Sequence, residues 1–178
     1  ALIDIAVTRF GRLDVLVNNA GQVVDNLLAT VTDEELDRQI ETNVLGLVRT
    51  SRAALKPMLK QRAGCIVNLS SALAARPGRG NTVYAGTKGF VESFTRALAV
   101  EVGRKNIRVN AVAPGVIETD MTAAIRALAA DHIPDRIAMK RPGTADEVAA
   151  TIAFVASPQA AYLNGAVIPI DGAFLGGL

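Results

Sequence analysis

Residues 65–112 read CIVNLSSALAARPGRGNTVYAGTKGFVESFTRALAVEVGRKNIRVNAV and hold one complete strand, helix and strand. Cys65-Ile-Val-Asn-Leu69 and Ile107-Arg-Val-Asn-Ala-Val112 are short, mostly apolar and β-branched, as strands buried on both faces of a parallel sheet are. Between them Phe90, Phe94, Ala97, Leu98 and Val102 recur at helical spacing, so 83–102 predicts a helix, with Gly103 where its C-terminal stop belongs. Ser70, Ser71 and a loop rich in Gly, Arg and Pro join the first strand to that helix, and the switch to helix comes at Thr82.

The same alternation continues on either side. Upstream, Gly11 stops a first helix, Leu13-Asp-Val-Leu-Val17 reads as a buried strand, and Asn18-Asn-Ala-Gly21 ends it. Asp33 is expected to cap a helix with apolar positions Leu36, Ile40, Val44, Leu47 and Val48, continuing toward Leu59, with Pro57 ending or bending it. Downstream, Pro114-Gly115 should break the third strand. Residues 118–143 are poorly periodic, Thr144 caps a helix through Val148, Ile152 and Val155, and Ala166-Val-Ile-Pro-Ile170 closes as a strand that Pro169 demotes to an edge. Four strands separated by helices, without hairpin signals, predict an α/β doubly wound parallel sheet, Rossmann-like, in one domain spanning 1–178. Such sheets bind ligands beyond the carboxyl ends of their strands, which here carry Asn18 to Gly21, Ser70 to Ser71 and Pro114 to Gly115.

Composition narrows the partners. With 19 Lys and Arg against 17 Asp and Glu, the net charge of +2 supplies no broad field, so neither a nucleic acid nor a membrane partner is expected. No apolar run reaches the roughly 20 residues of a membrane-spanning helix. Cys65 is the single cysteine, so no disulfide framework or thiolate metal site is expected, and the cytoplasm is the expected compartment. Cys65 itself reads as a small buried hydrophobe. His132, the one histidine, is read as a solvent or substrate-loop residue. The opening at Ala1 reads as the later part of a helix, with neither an initiator Met nor a signal peptide, so a preceding segment is expected.

Tyr84 and Lys88 stand four apart and so share one helix face, where an ammonium near a phenol favours phenolate and makes a usable acid or base. The plainer alternative is a surface lysine beside a half-buried tyrosine. Ser71, thirteen residues before Tyr84, ends a strand where its hydroxyl can face the same cleft, or it is an ordinary turn serine. Asn43 interrupts an apolar helix, and a locally satisfied amide would explain it equally well.

Asn18-Asn-Ala-Gly21, Asn43, Ile66-Val-Asn-Leu-Ser-Ser71, Tyr84-x-x-x-Lys88, Pro114-Gly115 and Asp171-Gly172 follow the order and spacing of the short-chain dehydrogenase/reductase family, which the chain resembles over its whole length. Within it the chain is most similar to the 3-oxoacyl-acyl-carrier-protein reductases, through Asp25-Asn-Leu-Leu28, Asp33-Glu-Glu-Leu36, Glu41-Thr-Asn43 and the run from Pro114 to Met121. The resemblance implies a catalytic tetrad of Asn43, Ser71, Tyr84 and Lys88. It implies a nicotinamide cofactor, NADP(H) ahead of NAD(H), lined by Asn18, Ala20, Gly21, Tyr84, Lys88, Pro114, Gly115, Ile117 and Thr119. It also implies a homotetramer, a Gly-Gly-Leu tail at a subunit interface, and acyl carrier protein docking at Arg62 and Lys105, which are read as helix-end cations near the cleft.

The family's phosphate-binding glycine loop, the first strands and the segment that selects NAD or NADP are expected ahead of Ala1. This chain is therefore expected to be the catalytic part, binding cofactor weakly by itself. The expected activity is reduction of a 3-oxoacyl thioester. The alternatives are a dehydrogenase of a secondary alcohol, sugar or steroid, and a noncatalytic scaffold.

Overall fold

A computed structural model describes residues 2–119 and 134–174, so His132 and the terminal Gly-Gly-Leu lie outside the described residues. Four strands, β1 (Val15–Asn18), β2 (Gly64–Leu69), β3 (Ile107–Pro114) and β4 (Val167–Ile170), form one wholly parallel sheet in the order β1-β2-β3-β4. Helix α1 (Leu2–Phe10) precedes β1, and Gly11 stops it at φ +76°. Between β1 and β2 run α2 (Asp33–Ile40), a π-helical segment (Glu41–Gly46) and α3 (Leu47–Gln61); α4 (Thr82–Val102) links β2 to β3, and α5 (Ala145–Ala156) links β3 to β4.

Alternation along the strands sorts the core into two layers. Ile66, Ile107 and Val109 pack with Ala54 and Met58 of α3 and Leu98, Ala99 and Val102 of α4, and Ile3, Ala6 and Val7 of α1 join them. On the opposite face Cys65, Val67, Leu69 and Val112 meet Val148, Ile152 and Val155 of α5. The chain advances across the sheet in one direction, with α3 and α4 on one face and α5 on the other. The β3-α5-β4 crossover is thus opposite in hand to the two before it, a departure from the usual rule for parallel strands.

Several local expectations are corrected. Thr32, not Asp33, caps α2: its hydroxyl accepts from the Glu35 N–H at 3.2 Å, and the Glu35 carboxylate accepts from the Thr32 N–H at 3.0 Å. This reciprocal pairing needs an extended residue three before the glutamate, and Thr32 has that backbone while Asp33 is already helical. Pro57 does not end its helix, which runs on to Gln61 and stops at Arg62 in the left-handed region, φ 55°. Gly103 continues into a 3₁₀ turn, and the left-handed stop is Asn106 at φ 58°. Strand β3 extends through Pro114. Thr144 caps α5 as expected, and Pro169 does sit on an edge strand.

Candidate active site

Strand β2 ends in the consecutive residues Leu69, Ser70 and Ser71, and all three meet α4. The Lys88 ammonium donates to the Leu69 carbonyl at 2.8 Å. Ser70 Oγ lies 3.2 Å from the Lys88 carbonyl and 3.1 Å from Glu92 Oε1. Ser71 is extended, its Oγ accepts from the Leu73 N–H at 3.2 Å, and it stands close enough to the Tyr84 phenol to favour its ionised form. Lys88 and Tyr84 share one face, with the ammonium 5.6 Å from the ring centroid.

Asn43 lies in the π-helical segment, a distortion that often marks functional positions. Its amide is buried and fully engaged: Oδ1 accepts from the Gln22 N–H at 2.8 Å, while Nδ2 donates to the Gln22 carbonyl at 2.8 Å and to Thr87 Oγ1 at 3.0 Å. Thr87 in turn donates to the Tyr84 carbonyl at 2.8 Å. The asparagine thus clamps the loop after β1 against the helix of Tyr84 and Lys88.

Burial sets the electrostatics. Desolvation lowers Lys88 to about 8. Desolvation also raises Tyr84, a hydrogen bond from Ser71 to its ionised form pulls the other way, and the Asp25 carboxylate raises it further. The expected lowering of the phenol by Lys88 is not found: burial first, with Asp25 adding to it, raises Tyr84 above its ordinary value. A phenol raised in this way keeps its proton at neutral pH.

The expected cofactor-binding positions divide. The Asn18 side chain is occupied internally: Nδ2 donates to Ser51 Oγ at 3.0 Å and Asn68 Oδ1 at 2.8 Å, and Oδ1 accepts from Thr50 at 2.6 Å. Ala20 is exposed. At Gly21 a Cβ would stand 3.3 Å from Lys88 Nζ and 3.5 Å from Asn43 Oδ1, so the backbone there is the wall of a cradle that opens onto the tetrad. Gly115 is needed for another reason, since a Cβ would lie 2.8 Å from Asp171 Cα. The Ile117 side chain belongs to the α5-side core, and Thr119 is exposed.

One further expectation changes with the geometry. Arg62 and Lys105 each precede a strand by two residues, so both lie at the amino ends of β2 and β3. The length of β2, about 17 Å, separates that end from Ser71, so within one chain these cations are not near the cleft. Residues that sequence reasoning left without a role here are Gln22, Thr87, Ser70, Glu92 and Asp25. Ser70, Asp25 and Thr87 stood inside the quoted motifs, and Thr87 occupies the position that turns it toward Asn43.

Residues 1–174 match the family model described as enoyl-(acyl carrier protein) reductase. The 3-oxoacyl-[acyl-carrier-protein] reductase of Pseudomonas aeruginosa is 44% identical over 158 residues, 89% of this chain and 64% of that protein. That of Thermotoga maritima is 42% identical over 171 residues, covering 96% and 70%. The chain belongs to the short-chain dehydrogenase/reductase family.

As a short-chain dehydrogenase/reductase it is an NAD(P)-dependent oxidoreductase by class. The chain spans about two thirds of the length of the relatives it matches. Solved structures agree on the fold: ElxO with NADP bound is 38% identical with a TM-score of 0.91, covering 98% of this chain and 72% of that one. A gluconate 5-dehydrogenase from Burkholderia cenocepacia in complex with NADP and tartrate is 29% identical with a TM-score of 0.92, covering 96% and 68%.

Proposed function

We propose that this chain carries the proton-transfer site of an NADP(H)-dependent reductase that converts a 3-oxoacyl thioester to its 3-hydroxyacyl form in fatty acid synthesis. The observation that carries the reading is the Tyr84 ring 5.6 Å from the buried Lys88 ammonium, on the helix that packs against the strand end bearing the buried Ser71. A bound nicotinamide supplies hydride to the carbonyl carbon. The residues present fit such a group, because Gly21 opens a backbone-walled cradle beside Lys88 and Asn43. Ser71 orients the substrate oxygen, and the Tyr84 O–H gives that oxygen its proton. Lys88 has three N–H donors, of which Leu69 takes one, leaving donors for a ribose hydroxyl and a positive charge for the phenolate that remains. Asn43 holds the loop against the helix and supports a proton relay from solvent. Backbone of Ala20, Gly21, Pro114, Gly115, Ile117 and Thr119 lines the cofactor in this reading, while the Asn18 side chain braces the sheet.

Replacing Tyr84 by Phe should leave the far-ultraviolet spectrum and melting curve unchanged while lowering turnover at least about a hundredfold. Retained turnover would remove the central assignment. The likeness to the gluconate 5-dehydrogenase keeps a second reading, an alcohol or sugar-acid dehydrogenase. Rates with acetoacetyl thioesters against polyols separate the two.

The relatives named as acyl-carrier-protein reductases support an acyl carrier protein as partner, and the family resemblance is the ground for proposing a cytoplasmic homotetramer. Because Arg62 and Lys105 lie at the amino ends of the strands, away from Ser71, docking there would serve the active site of a neighbouring copy. Reversing charge with Arg62→Glu should slow carrier-bound substrate and spare a small thioester; equal effects would exclude docking at this place.

A further inference from the structure

We propose that Ser70 and Glu92 are positioning residues, a latch that keeps the helix of Tyr84 and Lys88 in register with the strand end bearing Ser71. The reaction it serves is the one proposed above. Ser70 is the first residue beyond β2; its N–H donates to the Val112 carbonyl at 2.8 Å, which ties it to the sheet, and its side chain is buried. From that anchor its hydroxyl reaches one turn of α4, where the Lys88 carbonyl at 3.2 Å and Glu92 Oε1 at 3.1 Å share its single proton. Glu92 turns its other oxygen to Arg96 Nη2 at 3.3 Å, which fixes the carboxylate's orientation. A glutamate serving only that surface pair would not need to aim Oε1 inward at a buried serine.

The three contacts between strand end and helix differ in what catalysis asks of them. The bond from Lys88 to Leu69 involves an ammonium that must also serve a ribose and a phenolate. The contact of Ser71 with Tyr84 is where the substrate oxygen enters. Ser70 touches neither reacting atom, so its bond persists while the other two exchange partners. It therefore sets the spacing between Ser71 and Tyr84 throughout turnover, and a misplacement of about 1 Å at such a pair can cost about a hundredfold in rate. Glu92 and Ser71 also line the same cavity of about 460 Å³, so the latch stands at the wall of the space that a substrate side chain would approach.

The test uses the intact protein with NADPH and the carbonyl substrate it turns over. Ser70→Ala and Glu92→Ala should each lower kcat about tenfold with KM within about twofold. The double variant should be no slower than the slower single, because Ser70→Ala already removes the contact that Glu92→Ala removes. Glu92→Gln keeps an acceptor oxygen at the same place and should retain most of the rate. Unchanged kcat in either alanine variant, multiplied losses in the double, or Glu92→Gln as slow as Glu92→Ala would overturn the latch. Amide hydrogen exchange supplies a readout that needs no turnover. Ser70→Ala should speed exchange over residues 84–92 about fivefold or more while residues 95–102 keep their protection, and unchanged exchange would also overturn it. A protein that reduced no carbonyl compound would sink the reductase reading, and the exchange result would then decide the latch alone.

Discussion

At Lys88 an ammonium is held at 4% exposure with the Leu69 carbonyl as its hydrogen-bond acceptor and the Tyr84 ring beside it. Burial lowers its pKa to about 8, below the 10.5 of an ordinary lysine. Between those values the unfolded chain binds the proton that the folded chain has released, so this group makes stability rise with pH across the window from 8 to 10.5. Below pH 8 both states hold the proton and the buried charge costs its full amount. Urea unfolding should show a free energy that climbs from pH 8 toward 10, by on the order of 3 kcal/mol from this group when the window is complete. Lys88→Met should lack that component, and an identical pH profile in the variant would show that the charge is not penalised. Gln39 poses a related question: it is fully buried, one turn before Asn43, and neither amide atom is hydrogen-bonded. Gln39→Leu should therefore hold or raise stability, by about 1–3 kcal/mol at most, as measured by the denaturation midpoint.

Among the elements, α5 shows how a short helix is fixed at its start. Thr144 and Glu147 bond each other's backbone N–H groups, and Arg141 grips the Glu147 carboxylate with two nitrogens at 2.9 and 2.6 Å. The Arg141 bond, then the Thr144 N–H, bring Glu147 down to about 2. A carboxyl lowered on folding contributes stability above its unfolded pKa, here 4.5, and loses it as pH falls through 2. Thr144→Ala should cost about 1 kcal/mol, with the loss read from thermal melts at pH 7. The same S/T-x-x-E spacing is present at Thr32 and Glu35, beside the Asp33 that was expected to cap. Sequence could place both helix starts within a residue, but which hydroxyl or carboxyl caps depends on backbone angles that the neighbouring chain imposes. The π-helical turn at Asn43 was invisible for the same reason: the apolar spacing on either side of it is ordinary, and the distortion follows from the amide's bonds to Gln22 and Thr87.

Over the whole molecule, the sheet is covered unevenly. Helices α1, α3 and α4 cover one face, α5 covers the other beneath β2, β3 and β4, and Val15 and Val17 of β1 remain 38% and 39% exposed. Among the described strands β1 pairs with β2 alone, and exposed apolar side chains such as Val15 and Val17 favour association. Val17→Lys should reduce self-association of this chain in light scattering while changing its melting temperature little, and undiminished scattering would move the cause elsewhere.

Sequence by itself determined the four strands, the main helices and the parallel α/β class, because strand burial and helical spacing are written in residues close together along the chain; the candidate tetrad came only from the family resemblance. The family motifs added the order of those parts. Only the tertiary structure decided the opposite hand of the last crossover, the use of Asn18 as a brace, the placement of Arg62 and Lys105 at the amino ends of the strands, and the raised Tyr84 phenol. Each of these depends on groups distant in sequence meeting in a buried place, where desolvation and hydrogen-bond partners, rather than residue type, set the outcome.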